Sequence, residues 1–391
     1  MKITGIICEY NPLHLGHKKQ LDAVRAADPS GGIVCLMSGN FVQRGAPAIF
    51  DKLLRAKAAV LSGADLVLEL PVTAALSSAE GFAAGGVKIL SRFCNNLCFG
   101  AENANVELLM GLARALMSSD FSERLRMELD KGLSFPAARQ AALDAMGLDA
   151  SALTLPNNIL AVEYCKAILA QSASMQPFVI HRQGGYHDTM PDKENPSATA
   201  LRQRIEACGD WQSYVPDSAV FAGAAIHTLQ QGEKAILSRL RTMTDGEFEA
   251  LPYGSEGLWR KLMHAAREQA TLEDMIAATK SKRYTRTRID RMVMCAFLGI
   301  TEQMLTSPAP YVRVLAFNDK GRQILKKARE SGVFVNIGEK QDHPYQALED
   351  RCGSLYGLFA DLPEIPDRES RYRVFYQNET SGCLKELDAR I

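Results

Sequence analysis

The feature that most constrains this chain is a repeated unit at its start: a short apolar run, a loop, then a segment of helical period. The first run, 3–8, is isoleucine-rich and too short for a helix, so it reads as a buried strand. Similar runs follow at 32–37, 65–70 and 96–99, with helical periods at 51–61 and 74–90 between them. Strands that alternate with helices about every 30 residues pair in parallel through helical crossovers. The expected fold class is therefore α/β, a Rossmann-like parallel sheet, with its ligand site beyond the carboxyl ends of the strands.

From 104 to 147 the period is helical, with Phe135-Pro136 as a local break. Asn157 and Asn158 are expected to cap a helix over 159–170, and 178–182 reads as a fifth strand. A polar loop over 184–196 leads to Ser197 and a helix over 198–207. The polar stretch 210–217, with Trp211 and Pro216, is taken as a domain boundary. This predicts a catalytic α/β domain over 1–212 and a mainly helical domain over 213–391, the latter carrying a short α/β segment near 312–337.

With 391 residues, 47% hydrophobic, the chain is too apolar to be disordered and large enough to need no metal staple. Its 45 basic side chains are balanced by 45 acidic ones, which argues against a broadly cationic coat for nucleic acid or membrane. Nine irregularly spaced cysteines suggest free thiols in a reducing cytoplasm, and Cys94 and Cys98 have no second pair with which to hold zinc. No secretory leader or membrane-spanning run is apparent, and no metal ligand set is expected.

The loop after the first strand carries the strongest chemical signal, His14-Leu15-Gly16-His17 at the opening of a helix. A helix N-terminus offers free N–H groups and the positive end of a dipole, which suits phosphate. Gly16 permits close backbone approach, Asn11 and Pro12 shape the turn, and His14 and His17 add donors for a transferring phosphoryl group. A second element, Ser197-Ala198-Thr199-Ala200-Leu201-Arg202, places two hydroxyls at another helix start and an arginine one turn on. Neither a GxxxxGK[ST] loop nor a GxGxxG fingerprint is present. Lesser candidates are Ser38, Asn40, Gln43 and Arg44 in the loop after the second strand; Asp51, Lys52 and Arg55 on the helix that follows; Glu69 and Glu102 at strand ends; and the loop Tyr186-His187-Asp188.

HxGH early and SxTxxR late resemble the HxGH nucleotidyltransferase superfamily, of HUP-type fold, although Asn195-Pro196-Ser197-Ala198-Thr199 is a variant of the usual second motif. Five further segments look like the tRNA(Met) cytidine acetate ligase family: Glu9-Tyr10-Asn11-Pro12, Met37-Ser38-Gly39-Asn40-Phe41-Val42-Gln43-Arg44-Gly45, Phe99-Gly100-Ala101-Glu102, Pro156-Asn157-Asn158-Ile159-Leu160 and Ser281-Lys282-Arg283-Tyr284-Thr285. The resemblance spans roughly residues 1 to 300 and is weak beyond about 310. It implies an ATP-dependent ligase that forms acetyl-adenylate and passes the acetyl group to the exocyclic amine of the wobble cytidine in elongator tRNA(Met). It also implies an ATP site made of Ile7, Cys8, Glu9, Tyr10, Asn11, Pro12, Leu13, His14, Leu15, Gly16, His17, Lys18, Lys19 and Gln20, with Gly100, Asn158 and Arg182. Catalytic roles are expected for His14, His17, Ser197, Thr199 and Arg202, with Mg²⁺ as the companion of ATP. No obligate protein partner is inferred.

Lys280, Lys282, Arg283, Arg286, Arg288 and Arg291 crowd one short segment, interleaved with Tyr284, Thr285 and Thr287 and opposed only by Asp290. Cations, hydroxyls and a stacking ring suit RNA. Two other readings are open to the sequence: a small-molecule adenylyl- or cytidylyltransferase of the same fold, and an inactive RNA-binding relative.

Overall fold

The computed structural model describes the chain except residues 183–195, 282, 334, 337–340, 363, 367, 368, 370–372, 379–383 and 388–391, and the side chain of 136. The Tyr186-His187-Asp188 loop, Lys282 and Cys383 therefore lie outside the described residues.

Eleven strands are present among the described residues: β1 (Ile3–Cys8), β2 (Gly32–Ser38), β3 (Phe41–Val42), β4 (Ala46–Pro47), β5 (Leu66–Leu70), β6 (Asn96–Ala101), β7 (Gln176–His181), β8 (Val312–Asn318), β9 (Val335–Asn336), β10 (Val374–Gln377) and β11 (Leu384–Leu387). Nine of them form one sheet in the order β11-β10-β8-β5-β2-β1-β6-β7, with β9 also on β8; β3 and β4 make a separate small hairpin. Five neighbouring strands, β5-β2-β1-β6-β7, are parallel and reach one edge of the sheet. The order reverses at β1, which has β2 on one side and β6 on the other, and that reversal opens a crevice at the carboxyl ends of the strands.

The segment near 312–337 does not stay with the helical part. β8 lies antiparallel against β5, and β10 and β11 extend the sheet beyond it. The reason is burial: all seven residues of β8 are buried, which requires cover on both faces and a neighbour on both edges. Asp65 fixes the junction. Its carboxylate accepts from Ile33 N (2.8 Å), from the Arg25 guanidinium (2.7 Å) and from the Asn318 amide (3.0 Å). Gly321 lets the helix Asp319–Glu330 close onto this point, since a Cβ there would meet the Asp65 carbonyl oxygen at 1.9 Å.

The helices Leu229–Thr242, Leu258–Glu268, Leu272–Thr279, Arg286–Leu298 and Pro344–Tyr356 share a second core that includes Phe41 and Leu76, so they pack directly on the loops at the strand ends. Between the two cores lies a buried ionic cluster. Lys52 pairs with Glu69 at 3.0 Å and Glu369 at 2.8 Å, and Arg313 pairs with Glu349 at 2.6 Å and Glu369 at 2.7 Å. Burial opposes the charge on Lys52, but Glu369 and then Glu69 outweigh it and hold the ammonium above its ordinary pKa.

Several local expectations are refined. The helical period over 74–90 is two helices, Val72–Ala75 and Ala79–Leu90, the second capped by Ser78. Phe135-Pro136 opens a helix, as proline at the first turn permits. The helix expected from 159 begins at Pro156, and Asn157 and Asn158 do not cap it. Their backbone N–H groups donate to Glu102 at 3.3 and 2.9 Å, so a carboxylate from the end of β6 caps it from outside. Among the described residues no helix is long and apolar enough to cross a membrane.

Candidate active site

A cavity of about 240 Å³ opens in the crevice at the ends of β1 and β6. Its floor is set by the helix α1 (Leu15–Ala27), whose first turn is held by a reciprocal cap built from the two histidines. His14 Nδ1 accepts from Gly16 N at 3.1 Å, and His17 Nδ1 accepts from His14 N at 3.3 Å. The rings stack with centroids 3.7 Å apart. Because both Nδ1 atoms accept, each neutral ring carries its proton on Nε2. His14 Nε2 is buried and has no hydrogen-bond partner among the described residues. It is a donor awaiting an acceptor, which a phosphate oxygen would supply.

Burial, then Arg182 and Arg202, lower the His14 pKa to about 3, and burial, then His14 and Arg182, hold His17 well below its ordinary value. Both are neutral at physiological pH. An unfolded histidine titrates near ~6.5, so below that pH the unfolded chain binds a proton that the folded site refuses. Stability therefore falls as pH drops from ~6.5 toward the folded value, and His14 alone accounts for about 2 kcal/mol at about pH 5. Urea unfolding at about pH 7.5 and about pH 5 should show His14→Gln losing about 2 kcal/mol less than the wild type. An equal loss in both proteins would contradict the neutral pair.

Two guanidinium groups face the histidines. Arg182 follows β7 and donates from Nη1 to Asn157 Oδ1 at 3.0 Å. Arg202 donates to the Asn11 carbonyl at 2.8 Å and to Thr199 Oγ1 at 3.2 Å. Ser197 caps the helix Ala198–Glu206 by accepting from Ala200 N at 3.1 Å, and so sets where Thr199 and Arg202 stand. His14, His17, Arg182, Ser197, Thr199 and Arg202 all line the one cavity, although the first and last are separated by most of the sheet-forming sequence.

Of the stretch from Ile7 to Gln20, Ile7, Cys8, Glu9, Tyr10, Asn11, His14, His17 and Gln20 line the cavity. Leu13 is buried in the core, Lys18 pairs with Asp22 on the outer side of α1, and Lys19 is exposed. Pro12, Leu15 and Gly16 shape the loop and the helix start; the Asn11–Pro12 bond is cis. Gly100 lies on the wall, where a Cβ would come no closer than 3.8 Å to Arg182, so its bareness leaves the space to a ligand. Asn157, not Asn158, faces the cavity. Asn158 is fully buried and accepts from Asn103 N at 2.9 Å, because successive residues of a helix point about 100° apart.

Sequence reasoning missed the apolar wall of Phe82, Phe99, Leu160 and Tyr164, whose spacing reads as ordinary core. It also underrated Arg55 on the helix α2 (Lys52–Leu61). This fully buried side chain donates to the carbonyls of Glu9 (2.6 Å), Ser38 (3.1 Å), Phe50 (2.8 Å) and Gly39, and so pins the loops after β1 and β2 together.

The loop after β2 divides its roles. Asn40 Oδ1 accepts from Lys52 N at 2.9 Å, Ser38 is buried with a hydroxyl that has no partner among the described residues, and of the four only Gln43 and Arg44 reach the cavity. Gly45 (φ +77°) meets the helix Arg286–Leu298, where a Cβ would lie 2.4 Å from Arg291 N. The basic segment is more engaged than its sequence suggests. Arg283 pairs with Glu256 (2.8 Å), Arg286 with Glu273 (2.7 Å) and Asp290 (2.8 Å), while Arg288 binds the Tyr253 carbonyl (2.8 Å) and Ser255 (2.9 Å). Tyr284 is buried and donates to the Glu256 carbonyl at 3.0 Å. Asp290 is thus not their only opposing acid, since Glu256 and Glu273 arrive from other elements. Arg283 stays 67% exposed and Arg286 40%.

The HIGH Nucleotidyl Transferase family model matches residues 1–369. The tRNA(Met) cytidine acetate ligase of Clostridium tetani is 38% identical over 365 residues, covering 87% of this chain and 90% of that protein. The chain belongs to the tRNA(Met) cytidine acetate ligase family. A second family member, from Clostridium perfringens, is 37% identical over 369 residues. Among solved structures, Thermotoga maritima TmcAL in its apo form matches with TM-score 0.87 and 29% identity, over 97% of this chain and all of that one. The same protein bound with alpha-thio ATP matches with TM-score 0.85. The family match runs well past residue 310, in keeping with β8 belonging to the same sheet as β1 and β6.

Proposed function

We propose that the chain is an ATP-dependent ligase that acetylates the wobble cytidine of elongator tRNA(Met), giving N(4)-acetylcytidine through an acetyl-adenylate. The observation that carries this reading is the buried Nε2 donor of His14, without a partner among the described residues and set among His17, Arg182 and Arg202 in a family of acetate ligases. The adenine packs on the wall of Gly100, Phe99 and Leu160. The neutral histidines donate to the α-phosphate, where charge develops as the acetate carboxylate attacks in line and pyrophosphate leaves. Arg202, placed by Ser197 and Thr199, and Arg182, placed by Asn157, hold the departing β- and γ-phosphates.

Among the described residues no group of three His, Cys, Asp or Glu could hold a metal ion. Mg²⁺ would enter with the triphosphate, bound by phosphate oxygens and water. Acetate, ATP and tRNA meet in the cytoplasm.

Incubation with labelled acetate, ATP and bulk tRNA tests the whole reading. Acid-stable label in tRNA is expected. Acetate-dependent ATP–pyrophosphate exchange without labelled RNA would point instead to a small-molecule adenylyltransferase.

We assign RNA contact to the exposed face that carries Arg283 and Arg286, with the half-buried Arg288 beside it and Lys282 adjacent in sequence; the buried Tyr284 anchors that face from beneath. Affinity for tRNA should fall steeply between about 50 and 200 mM salt, and Arg283→Ala should reduce the slope of log affinity against log salt by about one. A slope that does not change would remove Arg283 from the interface.

A further inference from the structure

A second cavity, of about 270 Å³, adjoins the first. Glu9, Asn11, Arg44 and Arg202 line both, so one layer of side chains separates the two spaces. Its near wall is the hairpin β3–β4, with Ala46 on it, and its far wall is the start of the helix Leu229–Thr242. The two walls are fixed to each other, for His227 N donates to the Ile49 carbonyl at 3.0 Å and Thr228 N to the Phe359 carbonyl at 2.9 Å. This is a built space at the seam of the two cores, not a surface dent.

Its charge pattern differs from that of the first cavity. The two cavities share Glu9, Arg44 and Arg202, and the first adds Arg182 and two imidazole donors, as an anion requires. The partition carries the Glu9 carboxylate, held by a hydrogen bond from Gln43 N to Oε1 at 2.8 Å, and the second cavity adds Glu206. Burial raises the Glu206 pKa against the pull of Arg202. A carboxylate is a poor neighbour for a triphosphate, so Glu9 at the partition calls for a different ligand, one that donates hydrogen bonds. A cytosine presents an N4 amine donor beside the N3 and O2 acceptors; Glu accepts from N4, and Arg44 can donate to the acceptors. Uracil would set its O4 lone pairs against the same carboxylate and be disfavoured. Enzymes that act on a base in folded nucleic acid take it out of the stack into such a pocket.

We infer that this second cavity receives the acceptor cytosine, flipped out of the RNA, and that Glu9 at the partition binds its N4 amine and takes the proton released on transfer. The inference rests on the adenylate reading of the first cavity. The balance is as follows. The N4 lone pair forms the C–N bond to the acetyl carbon, and the bond from that carbon to the phosphate oxygen breaks. AMP leaves with that electron pair, and one N4 proton passes to a Glu9 carboxylate oxygen.

Two variants test this, each assayed for acetate-dependent ATP–pyrophosphate exchange and for acetyl transfer to tRNA. Glu9→Gln keeps the shape and removes the base; Ala46→Phe fills the second cavity from the hairpin. In both, transfer should fall about 10²-fold or more beyond any fall in exchange. A parallel loss of both half-reactions would place Glu9 with the ATP and overturn the inference, as would full transfer by Ala46→Phe. A wild type that exchanges no pyrophosphate and labels no RNA would instead sink the adenylate reading itself, so the two failures are distinct.

Discussion

Replacing His14 and His17 together by alanine should lower acetate-dependent ATP–pyrophosphate exchange by about 10³–10⁵-fold. Removal of one donor aimed at developing charge costs about 10²–10³-fold in well-studied sites. Here the two rings are a unit. Each Nδ1 caps the other's turn, the rings stack at 3.7 Å, and loss of one frees the backbone N–H that positions the other. The single substitutions should therefore cost nearly as much as the double one, and the costs should not add. His14→Asn is the informative control, since it can cap the helix without placing a donor at the Nε2 position. Near-normal folding with lost exchange would assign the effect to the donor. Exchange that survives in the double variant would remove the histidines from the chemistry.

The largest effect on stability is expected at Arg55. The Arg55→Met variant should lose about 3–5 kcal/mol in urea unfolding, because several buried carbonyls lose a charge-assisted partner that water cannot replace. Burial lowers the pKa of this guanidinium, yet it stays a cation, and it draws the ends of β1 and β2 into one frame. Activity should fall with stability, since Glu9 and the Asn40 loop are held by the same side chain. Arg55→Lys should rescue little, because a single ammonium cannot reach carbonyls of four residues on three segments. A loss below about 1 kcal/mol would show that those loops hold themselves.

What could be read in advance follows the range of the forces involved. The alternation of strand and helix and the two capped helix starts depend on neighbours a few residues apart, and each was legible. The cap made by His14 and His17 spans three residues, and Ser197 meets Ala200 within one turn. The place of β8 was not legible, because its partners Asp65 and β5 lie about 250 residues away in sequence. Asn158 and Asn157 exchanged roles because Glu102, not the helix itself, decides which of them turns inward. The basic segment looked opposed by Asp290 alone because Glu256 and Glu273, which answer Arg283 and Arg286, sit in other stretches. Arg55 stood only among the lesser candidates, since no local pattern reports carbonyls converging from β1, β2 and the turn before α2.

The buried ionic cluster has a consequence in time. Lys52 belongs to the helix that carries Arg55 and begins where Asn40 caps it, yet its carboxylate partners include Glu369, and β8 supplies the Arg313 that answers Glu349. During synthesis the first five parallel strands leave the ribosome long before these residues exist. A nascent chain thus holds the loops after β1 and β2 while Lys52 and Glu69 have only each other, with Glu369 and Arg313 still to come. The frame around the site closes only when nearly the whole polypeptide has emerged, so truncated products of translation should carry the motifs of the enzyme without its competence.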